Sequence, residues 1–309
     1  MQNNQTAKFT FLYLLSLIAL GFFAISAGNI LFQIINKNIA DIVESYNMLY
    51  NIQALRFAIS SIIVAVPIYF VTVWQINKNL AGGLLDKDSG IRKWLTYLIL
   101  LISSVVIIGD LIAVINSFLN GELTAKFALK TLTILVIAGI IFSYYLYDMK
   151  REKVEKKDKI MSYYFYTTLV LTVLIFISGL LFVESPKEAR LKRLDGEVIN
   201  NLSNIENAIQ IYYANEDALP EDLSALVDGV DYIQAEDIKN AVTRKEFEYK
   251  ITGKQDYEIC TDFMRSNKED KNTDYTYGYL NDSWRHGAGY DCVKKKINSE
   301  LVKPLPVMR

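Results

Sequence analysis

Residues that carry chemistry are scarce in this chain. Its 309 residues hold one histidine, His286, and two cysteines, Cys260 and Cys292, with no CxxC pair and no His/Cys cluster beside them. That excludes the usual zinc arrangements. No nucleophile elbow, phosphate loop or zinc-protease helix occurs, so the residues define no catalytic constellation, no cofactor or metal site is expected, and the reading is a non-enzyme. Charge of one sign is lacking too. Lys and Arg number 33 against 34 Asp and Glu, a formal net charge of -1, and no basic domain stands out. Nucleic acid is therefore not an expected partner.

What the chain has instead is long apolar runs. Phe9 to Ile35, Ala54 to Ile76, Trp94 to Phe118, Phe127 to Tyr147 and Met161 to Val183 are each long enough to cross roughly 30 Å of hydrocarbon at about 1.5 Å per residue. The first far exceeds the apolar core of a cleaved signal peptide, roughly 7 to 15 residues, so it reads as an uncleaved anchor. Gly121-Glu122 marks a tight turn that makes the third and fourth runs antiparallel neighbours. Lys78, Lys87, Arg92 and Lys93 lie between the second and third runs, and Lys150, Arg151, Lys153, Lys156, Lys157 and Lys159 between the fourth and fifth. The alternate loops hold only Lys37 and Lys126. This bias predicts a cytoplasmic N-terminus and an extracytoplasmic C-terminal part. The lipid bilayer is the first expected partner.

After the fifth run, Ser185-Pro186-Lys187-Glu188 reads as a capping box that starts a new helix. Leu191, Leu194, Val198, Leu202, Ile205, Ile209 and Tyr212 then fall on one stripe. Glu246 to Ile251 and Tyr257 to Phe263 alternate apolar with polar residues around Thr252-Gly253-Lys254-Gln255, which predicts a hairpin. Tyr275 to Leu280 is a candidate third strand, and Lys294 to Arg309 reads as a loose tail. A sheet laid on the helix stripe buries both apolar faces. The expected fold is an all-α membrane bundle of five transmembrane helices plus a small α+β extracytoplasmic domain. Its divisions are a four-helix transmembrane domain over 1–150, a charged cytoplasmic linker over 151–160, the fifth transmembrane helix over 161–184, the α+β domain over 185–293 and the tail over 294–309.

Asp110 is the one acid inside a run, and an ionised carboxyl there costs roughly 2.5 to 3.5 kcal/mol unless paired or hydrated. Asn29, Arg56, Asn116 and Lys130 fall at similar depth. The reading is an intramembrane polar cluster of Asn29, Arg56, Asp110, Asn116 and Lys130, with Asp110 paired to Arg56 or Lys130; an ion path or a snorkelling acid are the alternatives. Cys260 and Cys292 sit in the part assigned to the oxidising side, which favours a disulfide over free thiols. His286, in Trp284-Arg285-His286-Gly287, reads as a turn residue.

Two resemblances are carried by particular residues. Phe9 to Arg151, including Arg56-Phe57-Ala58-Ile59-Ser60-Ser61, Ile108-Gly109-Asp110-Leu111-Ile112 and Gly121-Glu122-Leu123-Thr124, resembles a four-helix bacterial membrane domain known as domain of unknown function 5671. That implies a fold and a bacterial cytoplasmic (inner) membrane, not an activity. Tyr163 to Cys292, with Ile211-Tyr212-Tyr213, Leu219-Pro220, Tyr249-Lys250-Ile251 and Tyr257-Glu258-Ile259-Cys260, resembles type IV pilins and type II secretion pseudopilins. Met161-Ser162-Tyr163-Tyr164 offers neither the Gly of a prepilin cleavage site nor the early Glu, so the domain is expected to be a fixed module rather than a fibre subunit. Some pseudopilins bind calcium in C-terminal loops, but Asp228, Asp231, Glu236 and Asp237 lack regular ligand spacing and read as a solvated face. The resemblances imply surface-system or secretion-system proteins as partners and leave oligomeric state open. The expected role is non-enzymatic contact with protein or ligand through a pilin-like extracytoplasmic domain, with a small transporter or channel component using Asp110 as the rival.

Overall fold

The computed structural model describes residues 2–39, 50–85, 89–151, 158–229, 233–269 and 284–298. It divides into two compact units, Met1–Val183 and Glu184–Arg309.

The first unit is helical: α1 (Gln2–Asn38), α2 (Ile52–Ala81), α3 (Gly90–Leu119), α4 (Ala125–Lys150) and α5 (Lys159–Phe182). Among the described residues, five helices are long and apolar enough to cross a membrane. Their starts follow side-chain chemistry. Asn51 accepts the N–H groups of Gln53 and Ala54, Thr124 that of Phe127, and Asp158 those of Ile160 and Met161, each satisfying donors that have no partner inside the helix. Pro67 sits inside α2 without ending it. The main seam joins α1 to α2, where Ala19, Phe23, Ala27 and Ile30 pack with Leu55, Ala58, Ile62 and Tyr69. Small residues let the two backbones approach, which matters where lipid tails supply no hydrophobic drive between helices. Gly179 does the same for α5, since a Cβ there would lie 3.1 Å from Ile30 and 3.4 Å from Ile59.

Helices α3 and α4 are antiparallel neighbours, as the short Gly121 connection predicts, and Gly121 takes φ 71°. Their buried positions recur at sevens: Ser103, Asp110 and Ser117 on α3, and Thr131, Ala138 and Tyr145 on α4. That is the spacing of two helices packed along a shallow seam. The buried face of α3 carries Leu95, Ile99 and Leu100 in its first half and only the polar Ser103, Asp110 and Ser117 beyond them, with aliphatic residues such as Leu101, Val105 and Ile112 exposed.

The second unit is built on α6 (Pro186–Glu216), followed by α7 (Ser224–Gly229) and the strands β1 (Glu248–Ile251), β2 (Asp256–Phe263) and β3 (Gly289–Lys296). Ser185 caps α6 by accepting the Glu188 N–H, with Pro186 in the first turn, as the capping box predicts. Asp217 ends it in the left-handed region. The sheet runs β1-β2-β3, antiparallel throughout, with Tyr249 opposite Ile259 and Ile259 opposite Val293. Tyr257, Ile259 and Phe263 of β2 face Val198, Leu202, Ile205 and Ile209 of α6 in one core with Phe247, Leu226 and Trp284. Leu191 and Leu194, the first two stripe positions, are only half-buried.

One expectation changes here. The candidate strand at Tyr275 to Leu280 lies outside the described residues, among which the third strand is β3. Lys294 to Lys296 is strand rather than tail, because β3 runs to Lys296, and just beyond it the Ile297 N–H donates to the Gln255 carbonyl at 2.9 Å. The sheet therefore extends past the expected boundary at 293.

Candidate functional site

Asp110 is buried, and among the described residues its Oδ2 has no hydrogen-bond partner. The ion pair expected with Arg56 or Lys130 is not formed. Packing explains why. Arg56 lies on α2, which packs on α1 and α5, whereas α3 packs on α4 and α1. Lys130 stands one position before the buried Thr131, about 100° round the helix, and its ammonium lies 5.7 Å from the centre of the Phe32 ring on α1. Asn116, next to the buried Ser117, is exposed. Asn29 lies among Phe32, Ile102 and Val106 in a groove between α1, α3 and α4. Among the described residues no hydrogen bond or ion pair links Asp110 to the other four.

The charged network of the bundle lies elsewhere. Arg92 of α3 donates to Asp148 Oδ2 at 2.8 Å and to the Asp148 carbonyl at 2.9 Å. Arg151, just past α4, pairs with Asp148 Oδ1 at 2.6 Å, donates to Asn77 Oδ1 of α2 at 3.0 Å and reaches Asp158 Oδ2 at 3.9 Å. The Tyr147 hydroxyl donates to the Asp158 carboxylate at 3.2 Å, and Asp158 also caps α5. Two guanidiniums and two carboxylates, with side-chain exposures of 5 to 14%, thus join four helices. Sequence reasoning missed this network by taking its residues for topology charges and a solvated linker. The available signal was Arg92, which continues the α3 stripe of Ser103 and Ile99 by one more pair of turns.

In the second unit the Asp195 carboxylate accepts the backbone N–H groups of Met264 at 2.6 Å and Arg265 at 2.9 Å, which ties α6 to the end of β2. Burial pushes its pKa up, against the effect of those two donors. Beside it His286 is fully buried, stacked on Phe263 at 3.7 Å between ring centres. It is a core residue, not a solvent-facing turn. Its Nδ1 lies 2.9 Å from the Trp284 carbonyl and so donates to it, which leaves the Nε2 lone pair without a partner among the described residues. Burial lowers the imidazole pKa. Asn267 locks the loop by donating to the Trp284 carbonyl and accepting the His286 N–H. Among the described residues no hydroxyl or thiol is hydrogen-bonded to Nε2.

Cys260 and Cys292 form a disulfide between directly opposed residues of β2 and β3, with Cα atoms 4.0 Å apart. Glu258 lies near both sulfurs, but sulfurs joined to each other are not thiolate ligands. In the acidic loop, Glu236 pairs with Lys239 and Arg244, and the Asp237 carboxylate accepts the Gln234 N–H. The Asp228 side chain and Asp231 lie outside the described residues.

The architecture is a set of helices long and apolar enough to cross a membrane, followed in the chain by a small helix-on-sheet unit. Residues 10–145 match the family described as Domain of unknown function (DUF5671). The match runs from α1 through most of α4 and includes Asn77, Arg92 and Asp110, while Asp148, Arg151 and Asp158 lie beyond it. Comparison with curated proteins and with solved structures found no match.

Proposed function

We propose that the chain is a non-enzymatic multi-pass protein of the bacterial cytoplasmic membrane that holds a pilin-like α+β domain on the extracytoplasmic side for contact with protein or ligand. The Cys260–Cys292 disulfide carries this reading, because such bonds persist in oxidising compartments and are rare in the cytosol. The lysine and arginine bias of the loops supports the same orientation, and five crossings put the two ends on opposite faces. The long capped helix laid on a three-stranded antiparallel sheet supports the pilin-like assignment. The lack of a prepilin cleavage signal favours a fixed module that meets partners of a pilus- or secretion-like surface system. A reporter fused after Arg309 tests the orientation. Activity only on the extracytoplasmic side is expected; activity only in the cytosol overturns the reading. Crosslinking in intact cells, followed by purification, is expected to recover surface-system proteins on the second unit.

One observation favours a second reading. Asp110 is a buried carboxyl with an unpartnered oxygen in a membrane-type helix, and such groups line ion or proton paths. Flux through liposomes that Asp110→Asn abolishes would support a transporter or channel component; no flux with either protein would reject it.

A further inference from the structure

The bundle contains an apolar cleft of about 460 Å³, walled by α4 and α5 and floored by α1 and α2. Its rim residues Leu132, Val136 and Leu171 are 55, 50 and 39% exposed, so it opens sideways between α4 and α5, where a bilayer would present hydrocarbon. Residues of α1 line it from Leu20 to Leu31, a length of roughly 17 Å. The cleft is open along one side and lined by aliphatic and aromatic side chains, which suits a flexible hydrocarbon chain supplied from that side. Water is poorly suited, since the lining is mostly aliphatic and aromatic and offers few polar partners. An empty cleft would forfeit the contacts of every residue that lines it. One end differs from the rest: Asn77 and Tyr144 lie there, with Tyr144 meeting Tyr164 of α5 edge to face at 5.7 Å. Asn77 is held in place by Arg151, so this end abuts the charged network.

We propose that this cleft seats one acyl chain of a bilayer phospholipid, entered from the side between α4 and α5, with the polar end of the lipid at Asn77 and Tyr144. The inference rests on the bundle lying in a bilayer. A second groove of about 440 Å³ between α1, α3 and α4 provides the internal control. Its polar lining is Asn29 and Ser103, and the Ser103 hydroxyl donates to the Ile99 carbonyl; among the described residues no tyrosine lines it and it does not adjoin the charged network, so it presents a lipid with a smaller polar end.

The test uses the full chain, extracted in mild detergent, stripped of loosely held lipid and examined by native mass spectrometry. About one phospholipid per chain is expected to survive. Thr133→Phe and Thr168→Phe, which fill the cleft from opposite walls, should each lower that occupancy at least tenfold while the protein still elutes as a single species. Gly21→Phe in the second groove should leave it unchanged. No retained phospholipid in the unaltered chain, retention in both filled variants, or an equal loss with Gly21→Phe overturns the proposal. If the chain leaves washed membranes without detergent, the membrane reading itself fails; if it needs detergent yet carries no lipid, only this inference does.

Discussion

The two units are held together by different means, and the difference follows from the solvent each is read as facing. In the second unit an apolar stripe on α6 meets an apolar sheet face, with Leu202, Ile205 and Ile209 fully buried, and a disulfide ties β2 to β3. Release of water from apolar surface drives that arrangement. The first unit also has an apolar seam, between α1 and α2, but on α3 and α4 it turns many aliphatic residues outward and places Arg92, Ser103, Asp110, Thr131 and the mostly covered Asp148 between helices. That pattern makes sense where the surroundings are as apolar as leucine and association depends on close packing and hydrogen bonds. Within the bundle, Asp148 is satisfied by two arginines and Asp110 by none. Burial alone does not make a charge part of the framework; pairing does.

The sharpest test removes the paired acid. Asp148→Ala leaves Arg92 and Arg151 buried without their shared carboxylate, a change that costs about 3–5 kcal/mol in comparable sites. The full chain in detergent is expected to lose thermal stability and folded yield while the Cys260–Cys292 bond still forms. Trp284 is the sole tryptophan of the second unit, so in a Trp74→Phe, Trp94→Phe background its fluorescence follows that unit alone. An unchanged Trp284 signal beside a collapsed bundle sustains the contrast between units; loss of both breaks it.

The reciprocal experiment is Cys260→Ser with Cys292→Ser. The bridge spans 32 residues of sequence, and freeing such a loop costs about 3 to 4 kcal/mol in the chain-entropy model. Trp284 fluorescence should report earlier unfolding, with elution of the bundle unchanged. Asp110→Asn is expected to do less than either. Because it breaks no pair and removes an uncompensated carboxyl, thermal stability should shift by no more than about 1 kcal/mol, and upward. A marked loss would show that Asp110 has a partner in the native protein.

Residues close in sequence announced their roles well, and residues that meet only in space did not. The long apolar helices, the Ser185 cap, the Thr252–Gln255 hairpin connection and the alternation of β2 are local patterns, and each was legible. β3 was hidden because Lys295 occupies an inward position, where sheet alternation calls for an apolar residue. Its stem is covered, its ammonium pairs with Glu206 at 2.9 Å and lies 3.8 Å from the Trp284 ring centre. His286 was misjudged because Arg285, Gly287 and Gly289 around it are turn residues, while its burial is supplied by Phe263 and Asp195 from distant segments. The Arg92–Asp148–Arg151–Asp158 network draws on separate helices, and linear charge patterns do not distinguish a buried pair from a topology signal.

The smallest expected effect concerns pH and separates the units by titration rather than by deletion. His286 is neutral in the fold because burial lowers its pKa. As pH falls below about 6.5 the unfolded chain takes up a proton that the folded chain does not. The stability of the second unit should therefore fall with pH between about 6.5 and the lower pKa of the folded state. The groups facing the imidazole are Asp195 from α6, Arg265 after β2 and Asp291 on β3; Asp195 and Asp291 favour its charged form, and Arg265 opposes it. The raised pKa of Asp195 has the opposite effect on stability, at lower pH, above its ordinary value of 3.8. Thermal midpoints read from Trp284 at about pH 7.5 and about pH 5.5 should differ in the native chain and converge in His286→Gln, whatever its absolute stability. Equal slopes in the two proteins would mean that the buried imidazole is not the group that titrates.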